Sequence, residues 1–530
     1  MKKLEWQEPL ALFDVAQTRH LENLATSRIL SCPSLMAQAG LSVAKLAMAI
    51  KPCAPCYWVF CGPGNNGGDG LEAATHLHQG GQQVRVVLWQ PSAKRPLDAT
   101  LALDKVKAMG ISIQDALPTQ TKVSRHDLCI DAMLGIGLRS SAPDAHKAHD
   151  SPEAPEAPDA SKLDTEQAMQ SWIHSIYQLG ADVLAVDTPS GLNADTGQFQ
   201  NTTVVPQDIQ AQHTLQLLTA KPGCMTALGR DACGTLWLDT LGSEDLHKTL
   251  NAAAKLNSRL QTVLKRQHAS HKGSFGDVAV IGGEAVQVRG IGMTGAVDLA
   301  ASAALHAGAG RVMACYLADD LKSNQARPRL AEIMQREFSA LKLASGVIVC
   351  GCGGGATVRK VLPQVLQQSM RLVLDADALN AISQDPWLRE LLRQRAVKNM
   401  QTVITPHPLE AARLLRTDSA SIQNDRLSAA QTLAHDLKCT VVLKGSGTVI
   451  AKSGEVPAVN FTGNARLATG GTGDVLAGLL AARMAQGMRE FEAACAAVFE
   501  HGLAADECNL PTLTAGKLAE VIRGPQTASW

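Results

Sequence analysis

The chain has 530 residues, 45% of them hydrophobic and 18% charged, a balance that suits folded domains and excludes a largely disordered chain. Its 49 basic and 49 acidic residues cancel, so no net field recruits nucleic acid or an anionic membrane as the main partner. At roughly 150 residues per domain, the length allows three or four domains or two large ones.

In chain order, the N-terminus offers Glu5, Gln7, Glu8 and Pro9 where a secretory signal would need an apolar run. No stretch reaches the roughly 18 apolar residues that span a bilayer. The 13 cysteines are odd in number and scattered, which argues against a secreted disulfide framework. A soluble cytoplasmic protein with no membrane or nucleic-acid partner is expected. Apolar runs at Tyr57–Cys61, Val84–Leu88, Leu128–Asp131, Val183–Asp187 and Thr214–Leu218 read as strands. Helical stretches at Asp69–Gln79 and Asp98–Met109 alternate with them, the pattern of a mostly parallel sheet covered on both faces. Ser141–Thr165 holds four prolines and almost no large apolar side chain, and is read as a mobile surface loop.

A polar, helical stretch is expected around Leu246–His268, with a domain boundary near residue 255. A second alternating series follows. Its strands are Val278–Ile281, Arg311–Tyr316, Val347–Cys350, Leu372–Leu374, Val403–Thr405 and Val441–Leu443. Its helices include Ala296–His306, Val358–Gln368, Asp425–Asp436 and Asp474–Gln486. Two α/β domains result, residues 1–255 and 256–530.

The 44 glycines gather in short clusters that mostly follow apolar runs. Cys61-Gly-Pro-Gly-Asn-Asn-Gly-Gly-Asp-Gly70 leaves a strand and opens a helix, where bare backbone and N-terminal N–H groups favour an anion. The plainer reading is a tight turn with Asp69 as helix cap. Asp131 and the run Ala185–Gly197, with Asp187, Ser190 and Asp195, stand at other strand ends, which converge on one crevice in a parallel sheet. Asn66, Asp131 and Ser190 together offer only oxygen ligands, a set for a hard cation rather than zinc, although each alone could simply cap or turn.

These motifs, in this order, resemble the NAD(P)H-hydrate epimerase domain (the YjeF N-terminal family) over roughly residues 10–240. The resemblance implies that Asn65, Asn66, Gly67, Gly68 and Asp69, with Gly135, Ile136, Gly137, Leu138, Arg139, Ser140 and Ser141, hold the nucleotide substrate. It also implies potassium at Asn66, Asp131 and Ser190, and Asp187 as the residue that contacts substrate and moves the proton.

In the second half, Ala468–Gly478 reads ATGGTGDVLAG. Gly470, Gly471 and Gly473 free the backbone to wrap phosphate at a helix start, and Asp474 is placed there as a base for a hydroxyl or, more plainly, as an N-cap. KGSGT at Lys444–Thr448 follows a buried strand but lacks the GxxxxGK[ST] spacing, which excludes a P-loop NTPase. His407 stands between two prolines. Asp375 and Asp377 read as a strand-borne pair pointing to opposite faces, positioning the sheet edge. Cys53 and Cys56 have the spacing of half a zinc site but no second pair, and His76 and His78 read as solvated on a surface helix.

With HKGSFG at His271–Gly276, DADALN at Asp375–Asn380 and TPHPLE at Thr405–Glu410, these motifs resemble the ADP/ATP-dependent NAD(P)H-hydrate dehydratase domain (the YjeF C-terminal family, ribokinase-like) over roughly residues 260–525. The resemblance implies that Lys444, Gly445, Ser446, Gly447, Thr448 and Gly473 bind ADP with magnesium. Ala296, Gly353, His407 and Asp474 would contact the hydrate. The family's GPGxG appears here as Cys350-Gly-Cys-Gly-Gly-Gly355, and the stretch before Gly295-Ala296 is longer than the common pattern. The expected protein pairs a Rossmann-like three-layer domain with a ribokinase-like domain and assembles as a homo-oligomer. It would epimerise R- and S-NAD(P)HX, then dehydrate the S form as ADP becomes AMP and phosphate. The alternative is a ribokinase-like small-molecule kinase fused to a nucleotide-binding scaffold module.

Overall fold

The computed structural model describes residues 1–5, 8–28, 34–89, 94–137, 160–199, 208–259, 267–317 and 330–522. Two compact units emerge. The first comprises Met1–Glu5 and Ala11–Ala253, the second Trp6–Leu10 and Ala254–Trp530. Among the described residues no helix is long and apolar enough to cross a membrane.

The sheet of the first unit runs in the order Lys2–Lys3, Thr235–Asp239, His213–Leu217, Asp182–Val186, Leu128–Ala132, Tyr57–Cys61, Val84–Leu88, Ser112–Gln114. Every pairing is parallel except that of Lys2–Lys3 with Thr235–Asp239. The central strands Tyr57–Cys61 and Leu128–Ala132 are buried at every position, which is why they read as unbroken apolar runs. Helices Leu35–Ile50, Asn65–Gln79 and Leu97–Ala108 cover one face, and Ala160–Tyr177 packs Ile173 and Ile176 onto the other. After Tyr57–Cys61 the chain fills one side of the sheet, then returns to the other with Leu128–Ala132. The crevice between these two strand ends is therefore the topological switch point, the place where such sheets bind ligands.

The second unit repeats this plan. Met334–Gln335, Arg311–Tyr316, Asp277–Gly282, Val347–Cys350, Arg371–Leu374, Gln401–Ile404 and Thr440–Leu443 are all parallel. Val449–Ala451 and Ala458–Asn460 extend the sheet antiparallel. Helices Thr294–His306, Thr472–Ala485 and Glu490–Glu507 share one apolar layer, and Val358–Gln368, Asp377–Gln384 and Arg426–Leu437 share the other. Its switch point lies between Asp277–Gly282 and Val347–Cys350.

Two expectations need correction. Among its described residues, Leu246–His268 is not a helical stretch: Leu246–Thr249 is a single 3-10 turn, Ala254–Asn257 is a strand parallel to Ala458–Asn460, and residues 260–266 lie outside the described residues. Its register places Leu256 and Asn257 in buried positions, so pairing with the sheet overrides the polar local composition. The polar segment Ser141–Thr165 is not all loop, because the helix Ala160–Tyr177 begins inside it. The remainder of that segment lies outside the described residues.

Candidate active sites

In the first unit a cavity of about 670 Å³ opens at the switch point. Asn65, Asn66, Asp69, Gly135, Ile136, Gly137 and Asp187 line it, together with Arg19 and Glu22 from the helix Val15–Arg28 and the lysine Lys221. Its size suits a nucleotide-sized ligand. Leu138, Arg139, Ser140 and Ser141 lie outside the described residues.

Gly67 and Gly68 do not line the cavity. A Cβ on Gly67 would stand 2.1 Å from the Gly62 carbonyl oxygen, and one on Gly68 would meet the Met36 sulfur at 2.5 Å. These glycines let the helix Asn65–Gln79 fold tightly back on its own turn and onto its neighbour. Gly64 alone of this cluster's leading glycines faces open space. Asp69 is no cap either, because the helix starts at Asn65, with Gly64 at the cap position and no side-chain bond. Asp69 sits one turn in, and burial, then the charge of Asp187, hold its carboxyl well above the ordinary range. His76 is half-buried with an unpartnered Nε2 rather than solvated, since this helix lies between two others.

Asp187 follows the strand Asp182–Val186 in a left-handed conformation, φ 68°. That is a costly backbone for a non-glycine residue, and it aims the carboxylate into the cavity. Oδ1 accepts hydrogen bonds from the Leu217 amide at 3.2 Å and from the Lys221 ammonium. Lys221 is fully buried, and its Nζ also donates to the Leu217 carbonyl at 2.7 Å. One carboxylate oxygen is thus anchored, while Oδ2 takes no hydrogen bond among the described residues. Sequence reading missed Lys221; its only signal was a lysine just after the strand His213–Leu217.

Asp131 is completely buried. Its oxygens accept from Ser190 Oγ at 2.6 Å, the Ser190 amide at 2.9 Å, the Met133 amide at 3.2 Å and the Tyr177 hydroxyl at 2.7 Å. Burial still pushes its pKa up, and no lysine or arginine pairs with it among the described residues. Asn66 lies across from Gly135, and its amide nitrogen has no hydrogen-bond partner among the described residues.

In the second unit, Asp375 and Asp377 are not on a strand. Arg371–Leu374 ends before them, Ala376 turns through φ 49°, and Asp377 opens the helix Asp377–Gln384. The turn sends them to separate tasks. Asp377 Oδ2 accepts from the Gly355 amide at 2.8 Å. Asp375 is buried, and its Oδ1 accepts from Lys444 Nζ and Thr405 Oγ1, both at 2.8 Å. Burial pulls the Lys444 pKa down, but Asp375 and Glu410 outweigh it and hold the ammonium above the usual lysine range.

Asp474 lies in the first turn of the helix Thr472–Ala485, which Gly471 opens at φ 92°. Burial, then Asp375, push its pKa up to about 7. Gly473 adjoins Lys444: a Cβ there would press on Nζ at 3.3 Å. Ala296 and Gly353 adjoin each other, since a Cβ on Gly353 would lie 3.0 Å from that of Ala296. His407 is engaged as a helix cap: its Nδ1 accepts from the amides of Leu409 and Glu410, and Glu410 returns a bond to the His407 amide. Gly445 and Ser446 are exposed and Gly447 is buried, while the buried Arg426 donates to the carbonyls of Leu443 and Lys444 and so props this loop from below.

Two α/β units, each with buried carboxylates and a lysine beyond the ends of its parallel strands, define a two-site enzyme of small-molecule chemistry. Residues 32–223 match the family model described as YjeF-related protein N-terminus, and residues 278–523 match that of NAD(P)H-hydrate dehydratase. The chain is 34% identical to the bifunctional NAD(P)H-hydrate repair enzyme of Coxiella burnetii, covering 93% of this chain and 94% of that one. For the Escherichia coli enzyme of the same description the values are 32%, 92% and 87%. The ADP-dependent (S)-NAD(P)H-hydrate dehydratase of Neisseria meningitidis is 42% identical over 47% of this chain and 84% of its own. Among solved structures, a Bacillus subtilis ADP/ATP-dependent NAD(P)H-hydrate dehydratase aligns with TM-score 0.40 and 25% identity, over 49% of this chain and 92% of that one. The chain belongs to the family of bifunctional NAD(P)H-hydrate repair enzymes.

Proposed function

We propose that the first unit interconverts R- and S-NAD(P)HX and that the second dehydrates the S form, with ADP as phosphoryl donor. The carrying observation is the contrast between the two carboxylates: Asp187 is anchored by a lysine through one oxygen, whereas Asp474 sits at a glycine-opened helix start with its pKa near neutrality.

The hydrate carries a hydroxyl on the ring carbon beside the ring nitrogen. Asp187 Oδ2 takes the hydroxyl proton, and the carbon–nitrogen bond opens to an aldehyde. Asp69, whose pKa burial and then the charge of Asp187 raise, supplies the proton that the nitrogen takes up. Rotation and reclosure on the other face return both protons and give the epimer, with nothing consumed.

Hydroxide leaves poorly, so dehydration needs activation. Asp474 takes the hydroxyl proton, the oxygen attacks the β-phosphorus of ADP, and AMP departs. Phosphate then leaves the ring carbon, a proton leaves the neighbouring carbon, and NAD(P)H is restored. Lys444 and the amides at Gly473 meet the phosphoryl charge.

Potassium fits beside Asn66, Asp131 and Ser190, because Asp131 is a buried carboxylate with neutral hydrogen-bond donors and no cationic partner among the described residues. It would supply that countercharge. Magnesium would ride on the nucleotide's phosphates, and Asp375 Oδ2, free of hydrogen bonds among the described residues, is an oxygen of the kind it takes. Assembly as a homo-oligomer is part of this proposal, checked by sedimentation.

The test is recovery of reduced-nicotinamide absorbance from a mixed R/S NADHX preparation, with ADP, magnesium and potassium, against a control without nucleotide. Full ADP-dependent recovery supports both activities. A stall at the S fraction removes the epimerase, and no recovery with ADP or ATP removes the dehydratase in favour of a small-molecule kinase.

A further inference from the structure

Cys352 stands in the Gly351–Gly355 loop where the family motif has proline. It is fully buried, and its Sγ, a carboxylate oxygen of Asp375 and one of Asp474 lie within 4.8 Å of one another. Asp375 anchors only Oδ1, on Lys444 and Thr405, and leaves Oδ2 free. Asp474 has no hydrogen bond from nitrogen or oxygen donors among the described residues. Three ligand atoms, one of them sulfur, therefore converge with coordination capacity to spare. Four carboxylates, those of Asp375, Asp377, Glu410 and Asp474, act on this neighbourhood, with the ammonium of Lys444 opposing them.

We propose that Cys352, Asp375 and Asp474 form a site for a thiophilic divalent cation, Zn²⁺ or Cd²⁺, and that its occupation shuts off the second unit. The donor set decides the class of ion. Magnesium takes oxygen and has no use for a thiol, whereas zinc binds thiolate and carboxylate together. Tetrahedral zinc, with bonds of about 2.3 Å to sulfur and about 2.0 Å to oxygen, needs these atoms about 3.3–3.5 Å apart, a closure of at most about 1.5 Å that side-chain rotation supplies. Three protein ligands leave the fourth position to water. On binding, the thiol loses its proton to solvent, the Sγ–metal bond forms, and Asp474 ceases to be available as a base. Burial, then the charges of Asp474 and Asp375, hold the Cys352 thiol well above the ordinary range, and an incoming cation offsets the charge part of that.

The probe is Co²⁺ added to the full chain without nucleotide, read for a thiolate-to-cobalt charge-transfer band in the wild type, Cys352→Ser and Cys352→Pro. A band in the wild type that both variants lack, and that Zn²⁺ displaces, is expected. In parallel, Zn²⁺ is titrated into the ADP-dependent reaction, each protein being normalised to its own metal-free rate. Wild type should lose at least tenfold where the variants lose less than twofold, with EDTA restoring the rate. A wild type without the band, a band kept in Cys352→Ser, or equal inhibition of all three proteins overturns the site. The cobalt band needs no turnover, so failure of the dehydratase assignment and failure of this site are told apart.

Discussion

Lys444 Nζ lies 2.8 Å from Oδ1 of Asp375, across 69 residues of sequence, and so belongs to the carboxylate cluster around Asp474 as well as to the loop that follows its strand. Methionine at 444 leaves Asp375 and Glu410 buried without a counterion. Removing one partner of a buried pair costs about 3–5 kcal/mol. Lys444→Met is expected to unfold several degrees lower by calorimetry and to lose ADP-dependent turnover. Lys444→Met,Asp375→Asn together should recover part of the stability but none of the activity.

Dehydration should respond to pH through Asp474. A base with its pKa near 7 is protonated below that value, so the rate should fall on the acid side of neutrality. The linked stability runs the other way. The folded-state pKa lies above the unfolded value of 3.8, so folding favours the protonated form and stability falls as pH rises from about 4 to about 7. Asp474→Asn removes that cost: it should raise the melting temperature at pH 8, give no gain at pH 4, and abolish turnover at both.

The anchored oxygen of Asp187 predicts a graded series in the first unit. Asp187→Asn should cut epimerisation by about 10²–10⁴-fold, the usual worth of a general base, with the fold intact by circular dichroism. Lys221→Met buries Asp187 unpaired and should lose both stability and epimerisation. Neither substitution should change dehydration of purified S-NADHX, which a stereochemically pure substrate checks directly.

The glycine turn makes a packing prediction. Gly67→Ala forces a Cβ to within 2.1 Å of the Gly62 carbonyl oxygen, backbone that cannot rotate away, and should cost about 1–3 kcal/mol or more in chemical denaturation. Gly64→Ala, in open space, should stay within about 1 kcal/mol of wild type. Equal effects at both positions would contradict this assignment of their roles.

Local sequence sufficed for the buried central strands and for the motifs at their ends. Tyr57–Cys61 and Val347–Cys350 are continuous apolar runs because both faces of a parallel sheet are covered, and the glycine clusters follow because each buried strand must turn into a helix. Ala254–Asn257 escaped such reading because a four-residue strand with two polar members is decided by its partner Ala458–Asn460, not by its own composition. The pairing of Asp187 with Lys221, and of Asp375 with Lys444, is likewise absent from any local pattern. Each joins residues from the ends of different strands, and which ends meet depends on strand order and register, which only the assembled sheet determines. The same holds for Gly67: its sequence neighbourhood suggests room for phosphate, while the fold spends that room on the backbone of Gly62. Composition and periodicity thus determine that two α/β units form and where their ligand-facing loops lie. The tertiary structure alone decides which carboxylate is anchored, which is left free to accept a proton, and which glycines face a ligand rather than the protein itself.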